Sequence, residues 1–149
     1  MRWKANVTVA AVIEKDGRFL MIEESIDGQK LINQPAGHLE RNESLLNAVN
    51  REVLEETAWE FEPEKIVGIY LYPGPNTEIT FLRICFSGSS FQHYPDQKLD
   101  EGIIQVLWMS RKELEQRKEN LRSPLVANCI DDYLKGQKYS LDLLHHYEA

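Results

Sequence analysis

The order of hydrophobic and polar positions predicts a β-hairpin near the start of the chain. Residues 7–13 form a continuous apolar run rich in β-branched side chains, which is typical of a strand buried on both faces. Lys15-Asp16-Gly17 is a turn signal, and the apolar pattern resumes over residues 18–22. Asp27-Gly28 marks a second turn after this hairpin.

A helix is predicted after an irregular segment. Residues 31–40 are expected to be irregular, because Pro35 and Gly37 disfavour regular structure. Residues 43–57 contain neither Gly nor Pro and are rich in Leu, Ala, Glu and Arg, which favours a helix. Pro63 follows this segment.

The remaining patterns predict three strands and two helices. The strands are expected over residues 66–72, 78–86 and 105–109, with a loop over residues 73–76 between the first two. A charged helix begins at Ser110 or Arg111 and reaches about residue 118. A last helix is expected over about residues 124–135, with Ser123-Pro124 as its N-cap and first turn and Gly136 as its stop.

This alternation of strands and helices lacks a regular βαβ repeat, so it favours an α/β or α+β sandwich with a mixed sheet. The chain has 149 residues, which predicts a single domain over residues 1–149. Its apolar and charged fractions, 42% and 28%, are those of an ordinary soluble protein.

The formal net charge of −7 argues against a partner that is a nucleic-acid polymer, because phosphate backbones are bound by clustered Lys and Arg. It leaves open a small phosphorylated ligand whose charge a metal ion neutralises. Cys85 and Cys129 lack the spacing of metal ligands and are expected to be buried thiols in a reducing cytoplasm. No signal peptide is recognisable, and no apolar run approaches the roughly 20 residues that span a bilayer.

The segment most informative about chemistry is a group of carboxylates on the predicted central helix. At about 100° per residue, Glu52, Glu55 and Glu56 fall on one helix face. Only Arg51 offers a nearby positive charge. The residues are compatible with an acidic solvent-exposed surface, or with a site for a hard divalent cation such as Mg²⁺, which prefers oxygen ligands. Leu46 and Val53 lie on the adjoining stripe and are expected to pack against a sheet.

The spacing of these residues resembles the Nudix box, G-x5-E-x7-R-E-U-x-E-E-x-G-U, in which U is a bulky apolar residue. Seven specified positions match in register: Gly37, Glu43, Arg51, Glu52, Val53, Glu55 and Glu56. The end of the box differs, since Ala58 and Trp59 replace the usual Gly and aliphatic residue. A left-handed conformation at this position costs a residue other than Gly about 1 kcal/mol, which puts the end of the helix in question.

The resemblance implies a Nudix α/β/α sandwich and hydrolysis of a phosphate anhydride with Mg²⁺, for which Mn²⁺ can substitute. It further implies roles for individual residues. The metal ligands would be Glu52, Glu55, Glu56 and the carbonyl of Gly37, with Glu55 alternatively a base acting through water. Arg51 would orient the carboxylates, and Glu43 would pair with Arg51 or hold the loop. A separate general base outside the box would be Asp100 or Glu101, unless these are merely solvated loop acids.

Segments outside the box resemble bacterial phosphatases of this family; they are residues 6–10, 33–40, 81–83 and 121–127. This likeness implies a monomer that releases orthophosphate from nucleoside tri- and diphosphates and from thiamin-type pyrophosphates. Two alternatives remain: a pyrophosphatase of nucleotide-sugars or dinucleotides, and a non-catalytic module that binds a metabolite. The presence of all box acids argues against the second alternative.

Two arginines are candidate substrate-binding residues, because a guanidinium matches the geometry of phosphate oxygens. Alternation along its apolar strand would direct Arg83 away from Leu82 and Ile84, towards either a phosphate or a structural ion pair. Arg122 precedes the N-terminus of the last helix, where phosphate also binds. Trp3, Tyr70 and Tyr72 are candidates for stacking on a base or for ordinary packing.

Overall fold

The sheet is organised around one central strand. In the computed structural model, which describes residues 1–148, β1 (Asn6–Lys15) pairs in parallel with β6 (Thr80–His93). Its other edge is shared between β2 (Arg18–Ile26), which it meets only at Glu14 and Lys15, and β4 (Ala36–His38), which it meets through Thr8 to Ala10. Because two strands share one edge of β1, the sheet divides into two halves that separate beyond the hairpin.

The other strands complete these halves. The strand order is β3-β2-β1-β6-β5, where β3 is Gln29–Asn33 and β5 is Trp59–Pro73. β7 (Ile103–Ser110) pairs with β2. All pairs except β1 with β6 are antiparallel, so the sheet is mixed, as predicted.

Helices cover both faces of the sheet and bury two hydrophobic clusters. α1 (Leu45–Thr57) buries Val49 and Val53 together with side chains of β1 and β6. α3 (Pro124–Leu134) lies on the opposite face and buries Val126 and Ile130. α2 (Arg111–Gln116) and short 3-10 turns at Lys118–Asn120 and Leu141–Leu143 complete the described elements. The α/β/α sandwich is therefore confirmed, and no helix within residues 1–148 is long and apolar enough to cross a membrane.

The prediction of an irregular segment over residues 31–40 is wrong in part. β3 pairs with β2, and its Ile32 is fully buried, while β4 pairs with β1. Only Gln34 and Pro35 separate these two strands. Short strands of this kind depend on partners elsewhere in the chain, so local breaker residues gave a misleading signal.

The predicted ends of several other elements also differ from the structure. α1 begins at Leu45 rather than at residue 43, because the Ser44 side chain accepts a hydrogen bond from the backbone N–H of Asn47 and caps the helix. β5 and β6 extend well beyond residues 66–72 and 78–86. Pro63 lies inside β5, next to a shift in register with β6 that accommodates a residue without an N–H.

Gly88, which pairs with Pro63 at this irregularity, should be intolerant of a side chain. A methyl group there would overlap the backbone carbonyl oxygen of Glu62, which cannot move without disturbing the β5–β6 pairing. We expect Gly88→Ala to lower the free energy of unfolding by about 1–3 kcal/mol, the usual range for overpacking. Chemical denaturation measures this loss, with the exposed neighbour Ser89→Ala as a control that changes stability by less than about 0.5 kcal/mol. Equal stabilities of the two variants would contradict the close packing of Gly88 against Glu62.

Candidate active site

The acidic residues of α1 are held by one arginine. Nε and Nη2 of Arg51 donate to the two carboxylate oxygens of Glu43 at 2.6 and 3.0 Å. Nη1 donates to Glu52 at 2.7 Å and to Glu55 at 3.2 Å, and Nη2 also donates to the carbonyl of His38 at 3.0 Å. The predicted pairing of Glu43 with Arg51 is therefore present, and Arg51 also contacts Glu52, Glu55 and the end of β4.

The electrostatics of Glu43 differ from those of the other box acids. The hydrogen bond from Arg51 lowers the pKa of Glu43 below its usual value, although burial acts in the opposite direction. The same contacts raise the pKa of Arg51. Glu43 is therefore ionised in the neutral pH range and serves to fix Arg51, whose remaining donors reach towards Glu52 and Glu55.

Burial is the largest influence on the pKa values of the two acids that face the cleft, Glu52 and Glu56. It raises the pKa of Glu56 to about 9, even though Oε1 of Glu56 accepts a hydrogen bond of 2.9 Å from the N–H of Ala36. Burial also raises the pKa of Glu52, while Arg51 opposes this shift. Burial of two neighbouring carboxylates disfavours their charged forms, and a bound cation would relieve this cost.

The short strand β4 brings the backbone against these acids. Gly37 pairs with Val9, and a side chain at Gly37 would overlap the carboxylate of Glu52. This close approach explains why a glycine occupies the first position of the box. It also places the main chain of β4 directly beside Glu52, while Ala36 contacts Glu56.

A carboxylate outside the helix completes the acidic group. One oxygen each from Glu52, Glu55 and Asp100 lie within 4.8 Å of one another, and the N–H of Asp100 donates to the carbonyl of Glu55 at 3.0 Å. Such a set of carboxylate oxygens fits a hard divalent cation. Glu101, the other candidate base, is exposed in the following turn and does not belong to this group.

A cleft of about 890 Å³ opens between the two halves of the sheet beside these acids. Glu52 and Glu56 lie on one side of it, and Arg83 and Arg122 also line it. The remaining lining side chains are mostly polar or aromatic and include Thr8, Glu24, Asn33, His38, Tyr72, Phe81 and Ser123. The structure thus brings both candidate arginines to the same cleft as three of the predicted metal ligands, Gly37, Glu52 and Glu56.

The two arginines differ in how their charge is compensated. Arg83 is 8% exposed, and its Nη1 donates to the neutral amide of Gln34 at 3.3 Å. Its side chain points away from the face that holds Ile84, as alternation predicted, but no ion pair within residues 1–148 includes it. Arg122 is more exposed and pairs with Glu24 at 3.3 Å.

The three aromatic candidates differ in whether they line the cleft. Tyr72 lines the cleft, whereas the hydroxyl of Tyr70 donates to Asp132 at 2.7 Å and Trp3 is exposed. Sequence reasoning did not single out Glu24, which lines the cleft, or Gln34, which contacts Arg83. Neither has a local signal, because each is one polar residue in or beside a strand and its role depends on distant partners.

Comparison with known proteins identifies the family. The sequence profile of the NUDIX domain matches residues 3–129. The chain belongs to the Nudix family. It is 42% identical to Phosphatase NudJ of Escherichia coli K12 over 142 residues, which cover 95% of this chain and 92% of that protein. These relationships make the chain a Nudix phosphohydrolase.

Solved structures agree with this assignment. A NUDIX hydrolase from Nitrosomonas europaea is 48% identical, with a TM-score of 0.95 over 97% of this chain and 98% of that chain. The MutT protein from Methanosarcina mazei Go1 is 25% identical, with a TM-score of 0.73 over 93% of this chain and 99% of that chain. Both comparisons cover almost the whole described fold.

The unusual end of the Nudix box does not extend the helix. Ala58 adopts a left-handed conformation with φ of 62°, and its N–H donates to the carbonyl of Leu54 at 2.9 Å. Thr57 is therefore the last helical residue, as it would be with glycine at the next position. Trp59 instead begins β5 and stacks on His93, with ring centroids 4.7 Å apart.

Cation binding to this Nudix site should be linked to proton release. The pKa of Glu56, raised to about 9, means that protons compete with a cation for this carboxylate below that pH, and the pKa of Glu52 is raised as well. We therefore expect the affinity for Mg²⁺ to increase from pH 6 to pH 9, with protons released on binding at pH 7. Titration calorimetry in two buffers of different ionisation enthalpy measures this release. Identical binding heats in both buffers would show that these carboxylates are already ionised.

Proposed function

We propose that this Nudix enzyme is a Mg²⁺-dependent phosphatase of small phosphoanhydrides. Its substrates would be nucleoside tri- and diphosphates and thiamin-type pyrophosphates, from which it would release orthophosphate, and Mn²⁺ would substitute for Mg²⁺. The observation that carries this proposal is the complete set of box acids, with Glu52 and Glu56 beside a cleft that also contains Arg83. The likeness to a protein named Phosphatase NudJ over 95% of the chain supports the choice of reaction.

Individual residues would contribute in distinct ways. We assign Glu52, Glu55, Glu56 and the carbonyl of Gly37 to metal binding, in keeping with their proximity around β4 and α1. A bound divalent cation supplies stabilisation of negative charge on phosphate oxygens and increases the acidity of water. Glu55 could alternatively accept a proton through water, since it is the more exposed acid of the group.

The residues around this group would position it and remove the proton from the attacking water. Arg51 orients Glu52 and Glu55, and Glu43 fixes Arg51 through two hydrogen bonds. We favour Asp100 over Glu101 as a base outside the box, because only Asp100 has a carboxylate oxygen close to those of Glu52 and Glu55. Arg83 and Arg122 would bind the phosphate groups of the substrate from the other side of the cleft.

We further propose that residues 1–149 act as a single domain and as a monomer in the cytoplasm. The two free cysteines, both buried, are consistent with a reducing compartment. The acidic net charge of −7 is consistent with small-molecule substrates and with a protein that binds neither nucleic-acid polymers nor membranes.

The reaction is tested by product analysis on a substrate panel. ATP, ADP, thiamin pyrophosphate and ADP-ribose are each incubated with Mg²⁺ or with EDTA, and orthophosphate is measured with and without an added phosphomonoesterase. We expect direct orthophosphate from the first three substrates only with Mg²⁺. Orthophosphate that appears only after added phosphomonoesterase would instead indicate a nucleotide-sugar or dinucleotide pyrophosphatase. Absence of any product would contradict the catalytic proposal and favour a binding module.

Replacement of Glu56 by Gln should separate catalysis from stability. Gln can retain the hydrogen bond from Ala36 and resembles the protonated carboxyl that burial favours in the metal-free protein. We therefore expect Glu56→Gln to abolish measurable turnover while the melting temperature without metal stays near that of the wild type. The exposed Glu64→Gln is the matched control, with unchanged turnover. Full activity of Glu56→Gln would refute its role as a metal ligand.

A further inference from the structure

Arg83 carries a buried positive charge that no carboxylate in the described part of the chain compensates. Its side chain is 8% exposed, its Nε has no hydrogen-bond partner, and no ion pair in the described part of the chain includes it. A buried charge without a counter-charge is unfavourable for folding. The arrangement therefore indicates a functional requirement for a cation at this position of the cleft.

Gln34 holds this guanidinium without neutralising it. The Gln34 side chain is 1% exposed, and its Nε2 donates to the carbonyl of Ala11 at 3.4 Å and lies 3.5 Å from Sγ of Cys85. These contacts direct Oε1 towards Nη1 of Arg83, 3.3 Å away. A carboxylate in place of this amide would form an ion pair with Arg83. The neutral amide does not, so the positive charge of the Arg83 guanidinium can pair with an anionic ligand.

Two other arginines near the site, Arg51 and Arg122, are paired with acidic side chains. Arg122, which also lines the cleft, pairs with Glu24, and Arg51 donates to Glu43, Glu52 and Glu55. Of Arg51, Arg83 and Arg122, only Arg83 has no acidic partner in the described part of the chain. An anionic group of the ligand would therefore gain most from contact with Arg83.

The register of the sheet locates Arg83 relative to the metal-binding acids. Thr8 of β1 pairs with Arg83 on one side and with His38, the neighbour of Gly37, on the other. The Arg83 backbone is thus two strand spacings, about 10 Å, from that of His38. Behind Arg83, Cys85 and the facing Cys129 are completely buried, so the protein interior is filled there. A group that reaches Arg83 is expected to be an end of the ligand.

We propose that Arg83, positioned by Gln34, forms a subsite for the terminal unesterified phosphate of the substrate. Such a group presents three free oxygens and close to two negative charges, whereas each phosphate of a nucleotide-sugar or dinucleotide carries an ester substituent. The subsite would therefore select substrates that end in a phosphate monoester. This inference rests on the proposed phosphatase function and supplies its basis for selectivity.

A binding experiment without metal tests the subsite independently of catalysis. Thermal unfolding is followed in EDTA with about 20 mM inorganic phosphate or with sodium chloride of equal ionic strength, because a ligand that binds the folded state raises the melting temperature. Phosphate should stabilise the wild type and the control Arg18→Met, in which an exposed arginine outside the cleft is replaced. It should not stabilise Arg83→Met. An equal response of Arg83→Met would overturn the proposal.

The same data distinguish a functional from a structural arginine. If Arg83 is kept for ligand binding at a cost to the free protein, Arg83→Met without phosphate should melt at the wild-type temperature or above it. If Arg83 instead stabilises the fold, Arg83→Met should melt clearly lower, which would count against the proposal.

Kinetics with Mg²⁺ test the selectivity for a terminal phosphate. We expect Arg83→Met to lower kcat/KM for ADP by roughly 10- to 100-fold, the effect of losing a charged hydrogen-bond donor, and to change the inhibition constant of ADP-ribose, measured against ADP turnover, by less than about twofold. Gln34→Met should raise KM for ADP with little change in kcat, because it disturbs the position of Arg83 rather than the reacting groups. An equal loss of affinity for ADP-ribose would overturn the assignment to the terminal phosphate.

Failure of the inference and failure of the proposed function give different results. Wild-type turnover of ADP together with an unaltered phosphate response in Arg83→Met would retain the phosphatase and reject the subsite. Absence of wild-type turnover on the whole panel would reject the phosphatase, and the phosphate-dependent melting of Arg83→Met would still decide whether Arg83 binds the anion.

Discussion

Mutual repulsion among the carboxylates of α1 is the constraint on which the arrangement of the site depends. Acids at spacings of three and four residues along a helix destabilise one another. Arg51 counters this repulsion by donating to Glu43, Glu52 and Glu55, while its contact with the carbonyl of His38 connects the helix to the end of β4. Glu56 lies outside this network. Burial raises its pKa, and the hydrogen bond from the N–H of Ala36 opposes this shift.

Because the sheet is divided, the face of α1 that carries Glu52 and Glu56 lines one side of a cleft. Because β2 and β4 share one edge of β1, the two halves of the sheet separate where the helix acids lie. The brevity of β4 matters here, since it lets the carboxylates of Glu52 and Glu56 reach the cleft past the edge of the sheet. Gly37 permits this approach by leaving room for the Glu52 carboxylate.

The two sides of the cleft favour ligand groups of opposite charge. On the helix side, burial raises the pKa of Glu52 and of Glu56, and a bound cation would counter this shift. On the β6 side, Arg83 is buried beside a neutral amide and favours an anion. A phosphoanhydride together with a divalent cation would supply both charges, and binding would offset the cost of burying these groups in the free protein.

Much of the site was predictable because its residues are close in sequence. The spacing from Gly37 to Glu56 predicts a helix with its acids on one face, and the structure has that helix, with Arg51 beside Glu43. The hairpin of β1 and β2 and the cap at Ser123 were likewise predictable from neighbouring residues. Helical periodicity, turn chemistry and capping act over a few residues, so the sequence displays them directly.

The tertiary structure alone decided features that depend on partners far along the chain. β3 and β4 exist because β2 and β1 pair with them, despite the intervening Pro35. Asp100 joins Glu52 and Glu55 only after folding, and Gln34 meets Arg83 across 49 residues. The charge state of Glu56 is likewise decided by burial, which no local pattern expresses. Strand pairing, burial and desolvation are properties of the folded chain. They determine which residues lie in the cleft beside the Nudix box and which charge states those residues favour.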